Sequence, residues 1–339
     1  MRTRRLGSDG PELSVLGLGG WKFGGSWLYG LGQTDDTNSI ATIHRAVERG
    51  VNWVDTAPVY GRGRSEEIIG RALVGHDDVL VNTKCGHHLA PDGTMTYVDN
   101  SPVAIKRECE ESLRRLRRER IDLYQFHLPD PNHSVEDSWA GMLDLVEEGK
   151  VRWPGASNFT VPMLDSCEPL GHVRVTEPQY NLLHRDLELD LLAWCRRHDT
   201  GVVVYEPQQT GLLSGGFDRA RLANLPDDDF RKTFVDFQEP SLSRALGLVE
   251  QIRPIAADLG VTVGEVAVAF TIANPTVTGA IVGADSPGQV DGWLGVGDLE
   301  LSSGLVRRLA ELATNAGFPL GQADYSSVDT RVVGMRDAH

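Results

Sequence analysis

Several things are scarce in this sequence, and each shortage narrows what the chain can be. Its 339 residues include only four cysteines, Cys85, Cys109, Cys167 and Cys195. They form no C-x-x-C pair and suggest no disulfide framework, which fits a reducing cytoplasm. Long uncharged apolar runs are missing, so no membrane partner is expected. The basic start M-R-T-R-R leads into L-G-S-D-G-P-E rather than the apolar core of an export signal. Positive charge is also short: 33 Lys and Arg face 48 Asp and Glu, a formal net charge of −15. That balance leaves no basic face for a phosphate backbone, and nucleic acid is not an expected partner. Absent too is a G-x-G-x-x-G between the first strand and the first helix. G-L-G-G-W (17–21) opens no helix, and G-R-G-R-S-E (61–66) carries Glu66 where the third glycine belongs, which argues against an open, doubly wound dinucleotide-binding sheet.

What is present is alternation. Short β-branched runs at 15–19, 51–55, 79–84, 121–126, 151–156, 173–177, 201–205 and 279–283 read as strands, and helical patterns separate them. D-D-T-N-S-I-A-T-I-H-R-A-V-E-R-G opens on polar caps and stops at Gly50, Pro102 sits near the start of another helix, Val135–Val146 forms a third, and Leu187 opens the next. Eight strands in this order predict an α/β fold, a closed (β/α)8 TIM barrel, with an N-terminal β-hairpin ahead of it. No Pro/Gly-rich linker divides the chain, so residues 1–339 are expected to form one domain. Two stretches stand apart as an expected active-face loop and tail: the polar, acidic 215–240 and the Ser- and Asp-rich 317–339.

In a parallel barrel the functional side chains gather at the C-terminal ends of the strands. Asp55 ends the second, Tyr60 follows in its loop, Lys84 ends the third and His127 follows the fourth. A phenol with an ordinary pKa of about 10 donates a proton readily at neutral pH but accepts one reluctantly. A nearby ammonium should lower that pKa, and a carboxylate beside the ammonium should hold it charged. Tyr60, Lys84 and Asp55 thus read as a tuned proton donor, with His127 as a second hydrogen bond to a substrate oxygen, a set suited to carbonyl reduction or its reverse. Singly, each has a plainer explanation: Asp as a turn residue, Tyr as packing, Lys and His as solvated strand ends. K-C-G-H-H (84–88) does not read as a metal site, because adjacent strand residues face opposite sides.

These residues lie in motifs that resemble the aldo-keto reductases, specifically a bacterial branch similar to the potassium-channel β subunits. The resemblance rests on D-T-A-P-V-Y-G-R-G-R-S-E, N-T-K-C-G, I-D-L-Y-Q-F-H-L-P-D-P, L-V-E-E-G-K-V-R-W-P-G-A-S-N-F and E-P-Q-Y-N-L-L-H-R, and spans nearly the whole chain. It implies a catalytic tetrad of Asp55, Tyr60, Lys84 and His127. It also implies a nicotinamide cofactor, NAD(P)(H), lying across the barrel mouth without a Rossmann fold and exchanging hydride with a carbonyl carbon of a small aldehyde, ketone or sugar. The carboxamide should meet Ser157, Asn158 and Gln179, with the ring on Tyr205. Further cofactor contacts are expected at Gly20, Trp21, Glu206, Gln208, Gly211, Leu212, Gly283, Asp285 and Gln289, and substrate contacts at Trp21, Trp27, Tyr29, His87 and His88.

The departures from the family pattern also speak. The run after the stacking tyrosine reads Y-E-P-Q-Q-T-G-L-L-S-G-G, where Glu206 and Gly216 weaken the positive field expected near a pyrophosphate. After the last strand, G-A-D-S-P puts Asp285 where relatives carry a basic residue facing the 2′-phosphate, and Trp293 replaces a common Asn. A carboxylate repels a phosphate but can accept from a ribose hydroxyl, so NAD(H) is expected over NADP(H), unless Arg62 or Arg331 serves the phosphate instead. Two further readings stand beside the enzyme: a cofactor-binding redox sensor with slow turnover, and a Schiff-base aldolase using Lys84.

Overall fold

The computed structural model describes residues 1–30, 32–321 and the backbone of 332–333. Thr3–Arg5 (β1) and Glu12–Ser14 (β2) pair antiparallel as the expected hairpin. The barrel strands are Leu16–Gly19 (β3), Trp53–Asp55 (β4), Leu80–Cys85 (β5), Ile121–Phe126 (β8), Val151–Ser157 (β9), Val175–Glu177 (β10), Gly201–Val204 (β11) and Gly279–Gly283 (β12). His87–Leu89 (β6) and Thr96–Val98 (β7) form a small hairpin between β5 and β8. The eight barrel strands are all parallel and close in the order β10-β11-β12-β3-β4-β5-β8-β9. Every strand read from the sequence therefore has its counterpart in the barrel.

The helices are Asp36–Glu48 (α1), Arg64–Ala72 (α2), Pro102–Leu116 (α3), Val135–Glu147 (α4), Val161–Cys167 (α5), Leu191–His198 (α6), Arg219–Ala223 (α7), Ser241–Leu259 (α8), Val263–Ala273 (α9), Pro287–Trp293 (α10) and Ser303–Asn315 (α11). Their starts follow local chemistry. Asp35 caps α1 by accepting from Thr37 and Asn38, Ser101 caps α3, whose first residue is Pro102, and Thr262 and Glu265 form a reciprocal capping box on α9. The helix expected from Leu187 opens instead at Leu191, after a short 3-10 turn over Asp186–Glu188 that buries Leu187.

Two apolar clusters result. The larger packs the outer faces of the strands against the helices. The smaller fills the barrel interior with Trp53, Leu123, Trp153, Val175, Val203 and Ile281, and the hairpin's Leu6 and Leu13 join it. Trp53 dictates one glycine: a Cβ at Gly17 would lie 2.3 Å from its ring. With apolar side chains filling the barrel interior, the chemistry is left to the opposite end, where the strands finish.

Residues 215–240 carry α7 and two 3-10 turns, Phe230–Lys232 and Val235–Phe237. Of the 317–339 tail, 322–331 and 334–339 lie outside the described residues, as does Arg331; Val332–Val333 pair in parallel with β7. Among the described residues no single helix is long and apolar enough to cross a membrane, and the four cysteines are buried and free.

Candidate active site

The ends of β4, β5 and β10 deliver three charged side chains to one point. Lys84 is 1% exposed, and its Nζ lies 2.5 Å from Asp55 Oδ1, 3.1 Å from Glu177 Oε1 and 3.1 Å from the carbonyl oxygen of Thr56. Asn82 Nδ2 donates to both carboxylates, at 2.8 Å to Asp55 and 2.8 Å to Glu177. Gln125 Nε2 donates to Glu177 at 2.8 Å. Two buried carboxylates are thus held by one cation and two amides. Burial opposes the charge on Lys84, but Asp55 and Glu177 outweigh it and its pKa is raised. Burial and then Glu177 push the Asp55 carboxyl well up, against the pull of Lys84.

Tyr60 sits above this group, its ring centroid 5.8 Å from Lys84 Nζ. The sequence led us to expect a phenol with a lowered pKa. Instead it is raised: burial dominates, Lys84 pulls down, and Asp55, Glu177 and Glu206 push up again. Tyr60 is therefore a protonated phenol over the whole neutral range, a donor at rest. His127 stands edge-on to it at 5.8 Å between centroids and edge-on to His87 at 4.9 Å. Burial, with His87 and Lys84 nearby, holds the His127 pKa well below its ordinary value, so the ring is neutral and can offer one N–H without adding charge.

Above these groups opens a cavity of about 410 Å³ lined by Trp21, Trp27, Tyr29, Tyr60, His127 and Leu128 on one side and by Ser157, Asn158, Glu177, Tyr205 and Glu206 on the other. Trp21 packs on Phe230 at 5.3 Å, and Trp27 on Tyr60 at 5.8 Å, so the 215–240 segment reaches the aromatic wall. Room for an extended ligand shows at the rim: a Cβ at Gly211 or Gly283 would meet no atom within 4 Å. Flat aromatic faces, amides at strand ends and bare glycine backbone fit a dinucleotide laid over the mouth.

The whole barrel, residues 15–314, matches the family model described as the Aldo/keto reductase family. The chain belongs to the aldo-keto reductases. It is 32% identical over 295 residues to the aldo-keto reductase YhdN of Bacillus subtilis, covering 86% of this chain and 87% of that one. To the NADH-specific methylglyoxal reductase of Escherichia coli it is 31% identical over 327 residues, 92% of this chain and 99% of the relative. Among solved structures it resembles the glycerol dehydrogenase AKR11B4 from Gluconobacter oxydans, with TM-score 0.84 and 34% identity over 93% of this chain and 95% of that one. An aldo/keto reductase from Klebsiella pneumoniae in complex with NADP and acetate follows at TM-score 0.69 and 25% identity, over 95% and 97% of the two chains. Family membership makes the chain an oxidoreductase of the NAD(P)-dependent kind.

For an aldo-keto reductase site, most residues expected from the sequence meet at the cavity: Asp55, Tyr60, His127, Trp21, Trp27, Tyr29, His87, Ser157, Asn158, Tyr205, Glu206, Gln208, Gly211, Gly283 and Gln289 all line it. Lys84 lies just behind, buried under Tyr60. Five residues expected as contacts do not line the cavity. Gln179 donates to Glu206 at 2.8 Å and to Gln209 at 2.9 Å, and Glu177, two residues earlier, faces the cavity. His88 points the opposite way from its neighbour His87, paired with Glu108 at 3.0 Å and stacked on Tyr97, as strand alternation requires. Gly20 is buried with its N–H on the Asp55 carbonyl at 2.7 Å, and Leu212 is core. Asp285 is turned to Lys22, with which it forms an ion pair. Arg62 donates to the carbonyls of Ala90 and Pro91.

Two residues escaped the sequence reading. Glu177 ends the sixth barrel strand, so the rule that picked out Asp55 and Lys84 applies to it equally. Lys22 follows Trp21 with no such signal; only the fold sets it against Asp285.

Proposed function

We propose that this aldo-keto reductase transfers hydride between NAD(P)(H) and the carbonyl or alcohol carbon of a small aldehyde, ketone or sugar, with Tyr60 as the acid in reduction and the base in oxidation. One observation carries the reading. The Tyr60 ring lines the cavity, no protein hydrogen bond among the described residues occupies its hydroxyl, and the neutral His127 stands beside it. A nicotinamide ring, when bound, supplies or takes the hydride. The chain's own residues do the rest. Tyr60 gives its proton to the oxygen that gains charge, His127 donates a second hydrogen bond, and Lys84, held charged by Asp55 and Glu177, stabilises the phenolate left behind. Ser157, Asn158 and the face of Tyr205 would orient the ring. Trp21, Trp27, Tyr29 and His87 would enclose a substrate of modest size, and the similarity to a methylglyoxal reductase and a glycerol dehydrogenase supports small oxygenated compounds.

On the cofactor, we favour NAD(H). The Asp285 side chain is paired with Lys22, at 33% and 28% exposure. A 2′-phosphate would have to break that pair to win Lys22, whereas a ribose hydroxyl can donate to Asp285 and leave it intact. The margin is smaller than an unpaired carboxylate would give. A single barrel domain over 1–339 in the cytoplasm completes the proposal. The test is a panel of aldehydes, ketones and sugars assayed with both cofactors in both directions. Cofactor binding with negligible turnover across the panel would favour the sensor reading, and a borohydride-trapped adduct at Lys84 without nicotinamide dependence would favour the aldolase.

A further inference from the structure

The proposed reaction needs Lys84 charged, and Asp55 is its nearest counter-ion. Glu177 is a second carboxylate on the same ammonium, 2% exposed and fixed by Asn82 and Gln125. It lines the cavity between Ser157 and Tyr205, on the side where the nicotinamide reading places the ring. Glu206 lines the same wall, held by Gln179 at 2.8 Å and Thr210 at 3.2 Å, with no cation bonded to it among the described residues. Against these three acids stand Lys84 and, near Glu206, His184, which is already paired with Asp236. The other cation on the cavity, Lys22, is already paired with Asp285, and His127 is neutral. A net negative wall in a buried, weakly screened place discriminates between a cationic and a neutral ring.

We propose that Glu177, with Glu206, makes this nicotinamide site selective for the oxidised, positively charged ring over the reduced, neutral one, so that at equal concentrations the oxidised cofactor fills it first. This rests on the dinucleotide reading above. The two rings differ by one unit of charge and little in shape, so the ratio of their affinities isolates the electrostatic effect from packing. Any loss of general binding moves both affinities together and leaves the ratio alone.

The experiment is direct titration of the full-length protein with NAD+ and with NADH, without substrate, following protein and nicotinamide fluorescence. In the wild type the oxidised form is expected to bind at least as tightly as the reduced. In Glu177→Gln, which keeps the shape and removes the charge, the Kd for NAD+ should rise relative to that for NADH by about tenfold, while Glu177→Asp keeps the wild-type ratio. A ratio unchanged in Glu177→Gln overturns the proposal and makes Glu177 a structural partner of Lys84. Should that variant fail to fold, the wild type decides: NADH bound more than about tenfold tighter than NAD+ overturns it equally. Failure to bind any nicotinamide dinucleotide, including the 2′-phosphorylated pair, would instead refute the cofactor reading itself.

Discussion

The Lys84 ammonium rests 2.5 Å from the Asp55 carboxylate and 5.8 Å from the centre of the Tyr60 ring. Its hydrogen bonds run down into the barrel, to Asp55 and Thr56, with Glu177 beside them. It therefore acts on Tyr60 through space, as a fixed charge, and the phenol keeps its proton until charge develops on a substrate oxygen. The energetic logic is that of a preorganised site: the cation is present before reaction, and its benefit is largest when the phenolate forms.

Removing the phenol tests the chemistry directly. Tyr60→Phe should lower kcat by on the order of 10²–10⁴ and leave the Kd for the cofactor nearly unchanged, since the hydroxyl addresses the substrate oxygen. Near-normal kcat in a folded Tyr60→Phe protein, measured with the best substrate of the panel, removes Tyr60 from the proposed role.

Removing the cation should damage the fold as well as the reaction. Lys84→Met strands two buried carboxylates, and breaking such a pair costs about 3–5 kcal/mol. The pH dependence follows from the sign of the shift. The Asp55 carboxyl titrates above its unfolded value, so the folded state holds protons that the unfolded chain releases, and this carboxyl disfavours folding increasingly as pH rises through that range. Without Lys84 the effect should grow. Urea melts at several pH values should show the variant regaining part of its stability in mild acid, and a deficit constant with pH would contradict this account.

The Lys22–Asp285 pair makes a prediction about cofactor choice. Asp285→Ala frees Lys22 for a 2′-phosphate and should raise kcat/KM for NADPH relative to NADH by roughly tenfold; Lys22→Ala should lower it. Steady-state kinetics with both cofactors decide, and the idea fails if the two variants shift the ratio in the same direction.

Below the cavity rim, His184 Nε2 meets Asp236 Oδ2 at 2.9 Å, and Gln209 donates to the same oxygen at 2.6 Å. Burial works against the imidazolium, but the bond and field of Asp236 outweigh it, and the His184 pKa is raised. A base with a raised folded pKa contributes its stability fully below the unfolded value, near 6.5, and loses it as pH rises through the folded one. Asp236→Asn should cost about 1–3 kcal/mol in mild acid and less in alkali; thermal melts across that window measure it, and a cost that grows with pH would be the wrong sign.

Much of this protein was legible without coordinates because it depends on periodicity. Strand runs alternating with capped helices settle on a closed parallel barrel, and the rule that barrel strands end at the active face gathered Asp55, Tyr60, Lys84 and His127. The same rule, applied to E-P-Q-Y-N, would have selected Glu177 over Gln179, and alternation within K-C-G-H-H would have turned His88 outward. What the sequence by itself determined, then, is which residues arrive at the mouth. The tertiary structure decided how they share charge: Glu177 joins Lys84 from a strand three places round the barrel, and Lys22 meets Asp285 across 263 residues of chain. Burial likewise reversed the expected shift of Tyr60, because desolvation depends on everything packed around a group and leaves no mark in its neighbours along the chain.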